Sequence, residues 1–208
     1  IIGASTTIAE YMLPALLGNF KHKYPNVNAH LKVSNTEGIV SMVENNVIDL
    51  GIVEGPVTNK NLVVEQCRTD QLVVVVPAGH ALANRHSIKM SELVDLPFIC
   101  REEGSGTREV INEYIDKNHV LNFNQELNVC MELGSPESIK GAVEAGMGIS
   151  VLSEATILKE LKLGSLVSIP LDPPLARSFS FVHQKQKFRQ RAMDEWWEFA
   201  RTYCLSSK

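Results

Sequence analysis

One recurrence limits the fold more than any other property of the chain. Residue n matches residue n+100 at Ser5 and Ser105, Thr7 and Thr107, Glu37 and Glu137, Ile39 and Ile139, Val43 and Val143, and Glu44 and Glu144. The order of elements recurs with them: a strand end, a Ser/Thr-bearing helix start, a second strand, a polar turn and a second helix. Ser34-Asn35-Thr36 is the polar turn of the first copy, and Gly134-Ser135-Pro136-Glu137 that of the second. Two similar α/β lobes follow, built from βαβ units around parallel strands. Ligands in such sheets lie beyond the carboxyl ends of the strands, which puts Ser5, the Ser34 turn and the Glu54-Gly55-Pro56 turn on one edge.

Within this frame the elements are read from periodicity. A first helix carries Ile8, Tyr11, Met12, Leu16, Leu17 and Phe20 on one face through Lys23, with Thr7 and Glu10 at capping-box spacing and Pro14 as a disturbance in its middle. Val27 to Val33 alternates apolar with polar, the period of a half-buried strand. Leu62-Val63-Val64 and the continuously apolar Leu72 to Val76 read as separate strands, and a further strand is expected from Glu126 to Leu133. Pro170-Leu171-Asp172-Pro173-Pro174 is the most linker-like stretch. Arg177 to His183 alternates again, and a last helix from about Arg189 lines up Ala192, Trp196, Phe199, Ala200 and Tyr203. One strand and one helix are too little for a third domain, so they return to the first lobe. The expected division is 1–76 plus 177–208 against 77–176, with two crossings and a cleft between the lobes.

The stretch Arg101-Glu102-Glu103-Gly104-Ser105-Gly106-Thr107-Arg108 follows the apolar run Pro97 to Cys100 and precedes Val110, Ile111, Tyr114 and Ile115 at helical spacing. It reads as strand, tight turn, helix. A helix start leaves unpaired backbone N–H groups and partial positive charge, glycines let the backbone come close, and hydroxyls add donors. These residues suit a seat for a small anion, and they equally suit an ordinary capped helix start. Arg101 and Arg108 bring charge to the same turn, while Arg108 also fits a solvated helix surface, paired with Glu102 or Glu103.

Composition excludes several function classes. The chain has 208 residues, of which 44% are hydrophobic, and a net charge of -4. Scattered Lys and Arg do not match a nucleic-acid surface; only Lys185, Lys187, Arg189 and Arg191 form a small basic group. No apolar run is long enough for a membrane helix, and Ile1-Ile2-Gly3-Ala4 has no basic region leading an apolar one; the chain opens inside a strand. Cys67, Cys100, Cys130 and Cys204 lie far apart, three of them in apolar runs and none in a CxxC pair, and read as small buried thiols in a reducing compartment, the cytoplasm. The histidines show neither HxxxH nor HExxH spacing, no Gly-x-Ser-x-Gly elbow is present, and Gly104 to Thr107 lacks the Lys-Ser/Thr of a nucleotide loop. Neither an enzyme, a metal site nor a cofactor is expected.

With Ser5 to Phe20, Tyr24-Pro25, Ile48 to Ile52, Val76 to Leu82 and Glu144 to Ile149 in this order, the chain resembles the effector-binding domain of LysR-type transcriptional regulators over its whole length. The Ser-Thr-Thr start and the Arg101 to Arg108 stretch look most like the branch regulating carbon dioxide fixation and sulfite reduction. The resemblance implies a fold like type 2 periplasmic solute-binding proteins: two Rossmann-like subdomains, two crossover strands and an inducer in the cleft. It implies ligand contacts from Ser5, Thr6, Thr7, Ser34, Asn35 and Thr36 in the first lobe, and from Arg101, Gly104, Ser105, Gly106, Thr107 and Ser135 in the second. It further implies a small inducer, often an anion. DNA would be bound only through a winged helix-turn-helix absent from this chain. The domain would dimerise through the helices Ile8 to Lys23 and Ser138 to Ala145, and the whole regulator would be a tetramer. A periplasmic solute receptor of a transporter shares the fold and is the rival; an enzyme on the same fold comes third.

Overall fold

A computed structural model describes residues 1–118, 127–185 and 191–206. Its strands are β1 (Ile2–Ser5), β2 (Leu31–Ser34), β3 (Leu50–Glu54), β4 (Leu62–Pro77), β5 (Phe98–Arg101), β6 (Val129–Leu133), β7 (Ser150–Ser153) and β8 (Leu166–Gln184). Its helices are α1 (Thr6–Tyr11), α2 (Leu13–Lys23), α3 (Thr36–Glu44), α4 (Gly106–Lys117), α5 (Pro136–Glu144), α6 (Leu158–Leu163) and α7 (Arg191–Ser206). They form two compact units, Ile1–Thr69 with Ser178–Lys208, and Asp70–Arg177. The expected starts at Glu126 and Arg189 lie outside the described residues, as do Lys187 and the side chain of Ala192.

In the first unit β1 pairs in parallel with β2 and β3, and β3 pairs antiparallel with the end of β8. One face is covered by α1, α2 and α7, whose Ile8, Leu13, Leu16, Phe20, Trp196 and Trp197 pack on Ala4, Ile52 and Phe181. On the other face Ile39 and Val43 of α3 pack with Ile48, Val53 and Val182. That helix comes close because Gly3 and Gly51, paired across β1 and β3, have no side chains. A Cβ on Gly51 would stand 2.7 Å from Ile39 Cγ2, closer than carbon atoms tolerate, and 3.2 Å from Val43 Cγ2, a tight contact.

In the second unit β5 and β6 are parallel, and Ile149, just before β7, joins β5 through Ile99 N–H to Ile149 O and Ile149 N–H to Pro97 O, both 2.8 Å. β7 pairs antiparallel with β4. Leu72, Val74 and Val76 face a core with Val110, Ile111 and Tyr114 of α4, while Val73 and Val75 face Ile139 and Val143 of α5. The run Leu72 to Val76 is continuously apolar because both of its faces are buried.

The hundred-residue recurrence is therefore structural. α3 and α5 occupy 36–44 and 136–144, and the strands after them begin at Leu50 and Ser150. Six expectations about the elements need correction. The first helix divides at Met12, and Pro14 stands in the first turn of α2, where a missing N–H costs nothing. The residue capping α1 is Ser5 rather than Thr7, and its side chain makes no cap bond. The half-buried strand from Val27 shrinks to β2, an edge strand that leaves Leu31 and Val33 exposed. Leu62 to Pro77 is one strand of 16 residues, and the linker-like Pro170 to Pro174 lies inside β8, with a cis peptide at Asp172–Pro173. Finally, the sheet is mixed, because β3–β8 and β4–β7 are antiparallel. Of the cysteines read as buried thiols, Cys130 is left exposed.

Candidate functional site

In both units the parallel strands end on polar residues, and the two sets differ in chemistry. Register in the first unit puts Ser5 of β1 beside Ser34 of β2. Thr6 opens α1; Asn35 caps α3, its side-chain oxygen accepting the Gly38 N–H at 2.9 Å; Thr36 is the first residue of that helix. Thr6 Oγ1 donates to Ser34 O at 3.3 Å and Thr36 Oγ1 to Glu54 O at 2.9 Å. Ser5 Oγ donates to the carboxylate of Glu54, which explains why it leaves the helix start uncapped. Ser5, Thr7, Thr36 and Glu54 are all buried. Five expected residues (Ser5, Thr6, Ser34, Asn35, Thr36) thus meet at one strand edge, with Thr7 a residue further into α1. Glu54, whose turn was expected on this same edge, belongs with them although it was not counted among the ligand contacts. Its signal was the polar turn closing an apolar strand.

The second unit gathers donors. Arg101 ends β5 and is 3% exposed. Its Nε and Nη2 reach the two carboxylate oxygens of Glu102 at 2.8 and 3.0 Å, and Nη2 points at Gly134 O at 3.5 Å, next to Ser135. Nη1 is buried with no partner. Gly104 takes the left-handed conformation, φ 80°, that turns the chain into α4. Ser105 precedes that helix with no cap bond, and its hydroxyl, also buried, has no partner. Gly106 and Thr107 form the first turn. Thr107 is buried, and its hydroxyl accepts from Arg177 Nη1 at 2.7 Å. Arg177 Nε in turn binds Asp70 Oδ2 at 2.8 Å, and Asp70 Oδ1 accepts from Ser153 Oγ at 2.7 Å. Nothing in the local sequence links Asp70 to Arg177, which are far apart along the chain.

Arg108 does not join this group. Its Nη1 donates to Arg101 O at 3.2 Å and to Glu132 Oε2 on β6 at 2.6 Å, and Glu103 adds a weaker charge attraction. Ser135 caps α5, accepting the Ser138 N–H at 3.2 Å, as Asn35 caps α3. Among the described residues no group of His, Cys, Asp and Glu is arranged to hold a metal ion, and no helix is long and apolar enough to cross a membrane.

The family described as the LysR substrate binding domain matches residues 1–205. The chain belongs to that family. An uncharacterized HTH-type transcriptional regulator, YeiE of Escherichia coli K12, is 37% identical to this LysR-family chain over 92% of the chain and 64% of its own length. A probable RuBisCO transcriptional regulator of Cyanidium caldarium is 33% identical over 93% of the chain and 62% of its own. The chain thus spans a little under two thirds of these relatives, which are transcriptional regulators by name. The CcmR regulatory domain of Synechocystis PCC6803, solved in complex with 2-PG, is similar to it with a TM-score of 0.88 and 32% identity. That likeness covers 99% of this chain and 96% of that one. The expected resemblance, including its carbon dioxide fixation branch, and the expected fold are borne out by these likenesses.

Proposed function

We propose that this chain is the effector-sensing part of a DNA-binding transcriptional regulator and that its effector is a small anionic metabolite. The observation that carries the anionic character is the pair of buried donors without partners, Arg101 Nη1 and Ser105 Oγ, at the N-terminus of the 12-residue α4. A buried donor left unmade costs about 1–3 kcal/mol, a penalty tolerated where a ligand supplies the missing acceptor. Helix N–H groups and the Arg101 guanidinium favour a negative charge there, while Glu102 tempers the total. The 2-PG held by the related CcmR domain supports a small ligand in this fold.

On this reading Ser5, Thr6, Thr7, Ser34, Asn35, Thr36, Arg101, Gly104, Ser105, Gly106, Thr107 and Ser135 are the ligand-contacting set. Ligand binding changes the balance of two arrangements of the protein, and no bond of the ligand is made or broken. DNA contact belongs to a segment outside this chain, the domain pairs with a second copy, and the regulator works as a tetramer in the cytoplasm. Thermal unfolding with a panel of sulfur oxyanions, carboxylates and sugar phosphates tests the reading. A true effector at 100 times its Kd adds about 2.7 kcal/mol of stability, and Ser105→Ala reduces that gain. A panel in which no anion shifts Tm, or a shift untouched by Ser105→Ala, refutes it.

A further inference from the structure

In the second unit one carboxylate governs how the strongest donor can be used. A guanidinium grips a carboxylate best with two parallel N–H groups along one edge, each meeting one oxygen. In Arg101 that edge is already taken: Nε donates to Glu102 Oε2 at 2.8 Å and Nη2 to Glu102 Oε1 at 3.0 Å. Nη2 also points at Gly134 O at 3.5 Å, so the other two-nitrogen edge, between Nη2 and Nη1, is engaged at one end. Only Nη1 is left without a partner. The backbone of Glu102 positions the second unpartnered donor, because its carbonyl accepts the Ser105 N–H at 3.2 Å and closes the turn through Gly104. Arg108, the other cation of this turn, pairs with Glu132 instead. All of these groups lie within the second unit.

We infer that Glu102 is a specificity-determining residue: a carboxylate of the protein itself fills the fork of Arg101, and the seat receives a tetrahedral oxyanion, a phosphate, sulfate or sulfonate group, in preference to a planar carboxylate. A carboxylate arriving there forgoes the paired contact that is its best interaction with arginine and keeps a single charge-assisted N–H. A tetrahedral group forgoes less. Its diverging oxygens can meet separate donors: Arg101 Nη1, the Ser105 hydroxyl and the first-turn N–H groups of α4. Glu102 also offsets the charge of the guanidinium, so the anion is held largely by hydrogen bonds and the helix start. The inference rests on the proposed function and deepens it by naming the class of the anionic group.

The test is an NMR titration of the whole chain that follows the Gly104 and Gly106 N–H signals, with two pairs of anions matched in charge: sulfate against oxalate, and methanesulfonate against acetate. Each variant is compared with the native chain by the ratio of Kd values within a pair, in which the intrinsic difference between the two anions cancels. The native chain is expected to bind sulfate more tightly than oxalate. Glu102→Ala frees the edge of Arg101 and gives carboxylates their two-point contact, so the ratio shifts toward oxalate and acetate by about tenfold. Glu102→Gln keeps one acceptor but sets an amide donor against the other N–H, which opens half of the edge. A shift of about threefold in the same direction is expected of it, and it decides the matter if Glu102→Ala does not fold. Loss of charge alone would tighten both members of a pair alike. A ratio left unmoved, or a native preference for oxalate over sulfate, therefore overturns the inference alone. Weakening of all four anions by Ser105→Ala upholds the functional reading in that event, whereas glycine signals that no anion moves overturn both.

Discussion

Ser105 separates stability from binding at a single atom. Its hydroxyl is buried, makes no cap bond and has no partner, so Ser105→Ala is expected to leave stability unchanged or raise it by about 1 kcal/mol. The same substitution weakens the effector, and chemical denaturation beside calorimetry shows both signs. Asp70 and Arg177 behave in the opposite way. They are the first and last residues of the second unit, joined at 2.8 Å and both buried, with Thr107 and Ser153 completing the network. Asp70→Leu would leave Arg177 charged and without its carboxylate in the interior, at about 3–5 kcal/mol, or roughly 6–20 °C in Tm for a chain of this size. A scanning calorimetry shift under about 2 °C would show that the pair contributes little. Arg101 and Ser105 were legible because their neighbours in sequence are their neighbours in space. Arg177 was not, because its partners Asp70 and Thr107 come from distant segments, and neither was the Glu54 contact to Ser5.

At the scale of elements, α3 and α5 are equivalent helices started by equivalent caps. Asn35→Ala and Ser135→Ala are each expected to cost about 1 kcal/mol, because each removes one side-chain acceptor from an otherwise orphaned N–H. Urea unfolding of the two variants should give similar losses, and a loss in one alone would deny the equivalence. Gly51→Ala forces a methyl against Ile39 and Val43, stiff β-branched side chains, and should cost about 1–3 kcal/mol. The helices α3, α4 and α5 and their polar starts were readable because capping and amphipathic spacing are local; the first helix was not, since it divides at Met12. The failures share a cause: periodicity reports alternation but not which strand is at an edge. Val27 to Val33 therefore looked half-buried, although β2 has a neighbour on one side only and exposes Val33. Pro170 to Pro174 looked like a linker because prolines punctuate loops. Leu171 and Leu175 nevertheless pack in the core, and Pro173 O accepts from Tyr114 Oη at 2.7 Å.

For the molecule as a whole, thiol chemistry reports whether the chain is folded as described. Cys67 and Cys204 are buried and hydrogen-bond each other; that bond, then burial, raises the Cys67 thiol far above its usual range, while the same bond lowers Cys204. Burial raises Cys100, whereas Cys130 is exposed. A disulfide reagent at mildly alkaline pH should therefore titrate one thiol quickly in the native protein, Cys130, and four after denaturation. Fast reaction at Cys67 would contradict the packing of β4 under α7. The sequence by itself determined the doubled α/β plan, the two polar turns of each copy and the family, since all three are written in local spacing and in its repetition after a hundred residues. Only the tertiary structure decided which hydroxyls keep a proton to give. That depends on where Glu54 and Arg177 arrive, and contacts between segments distant in sequence leave no local pattern to read.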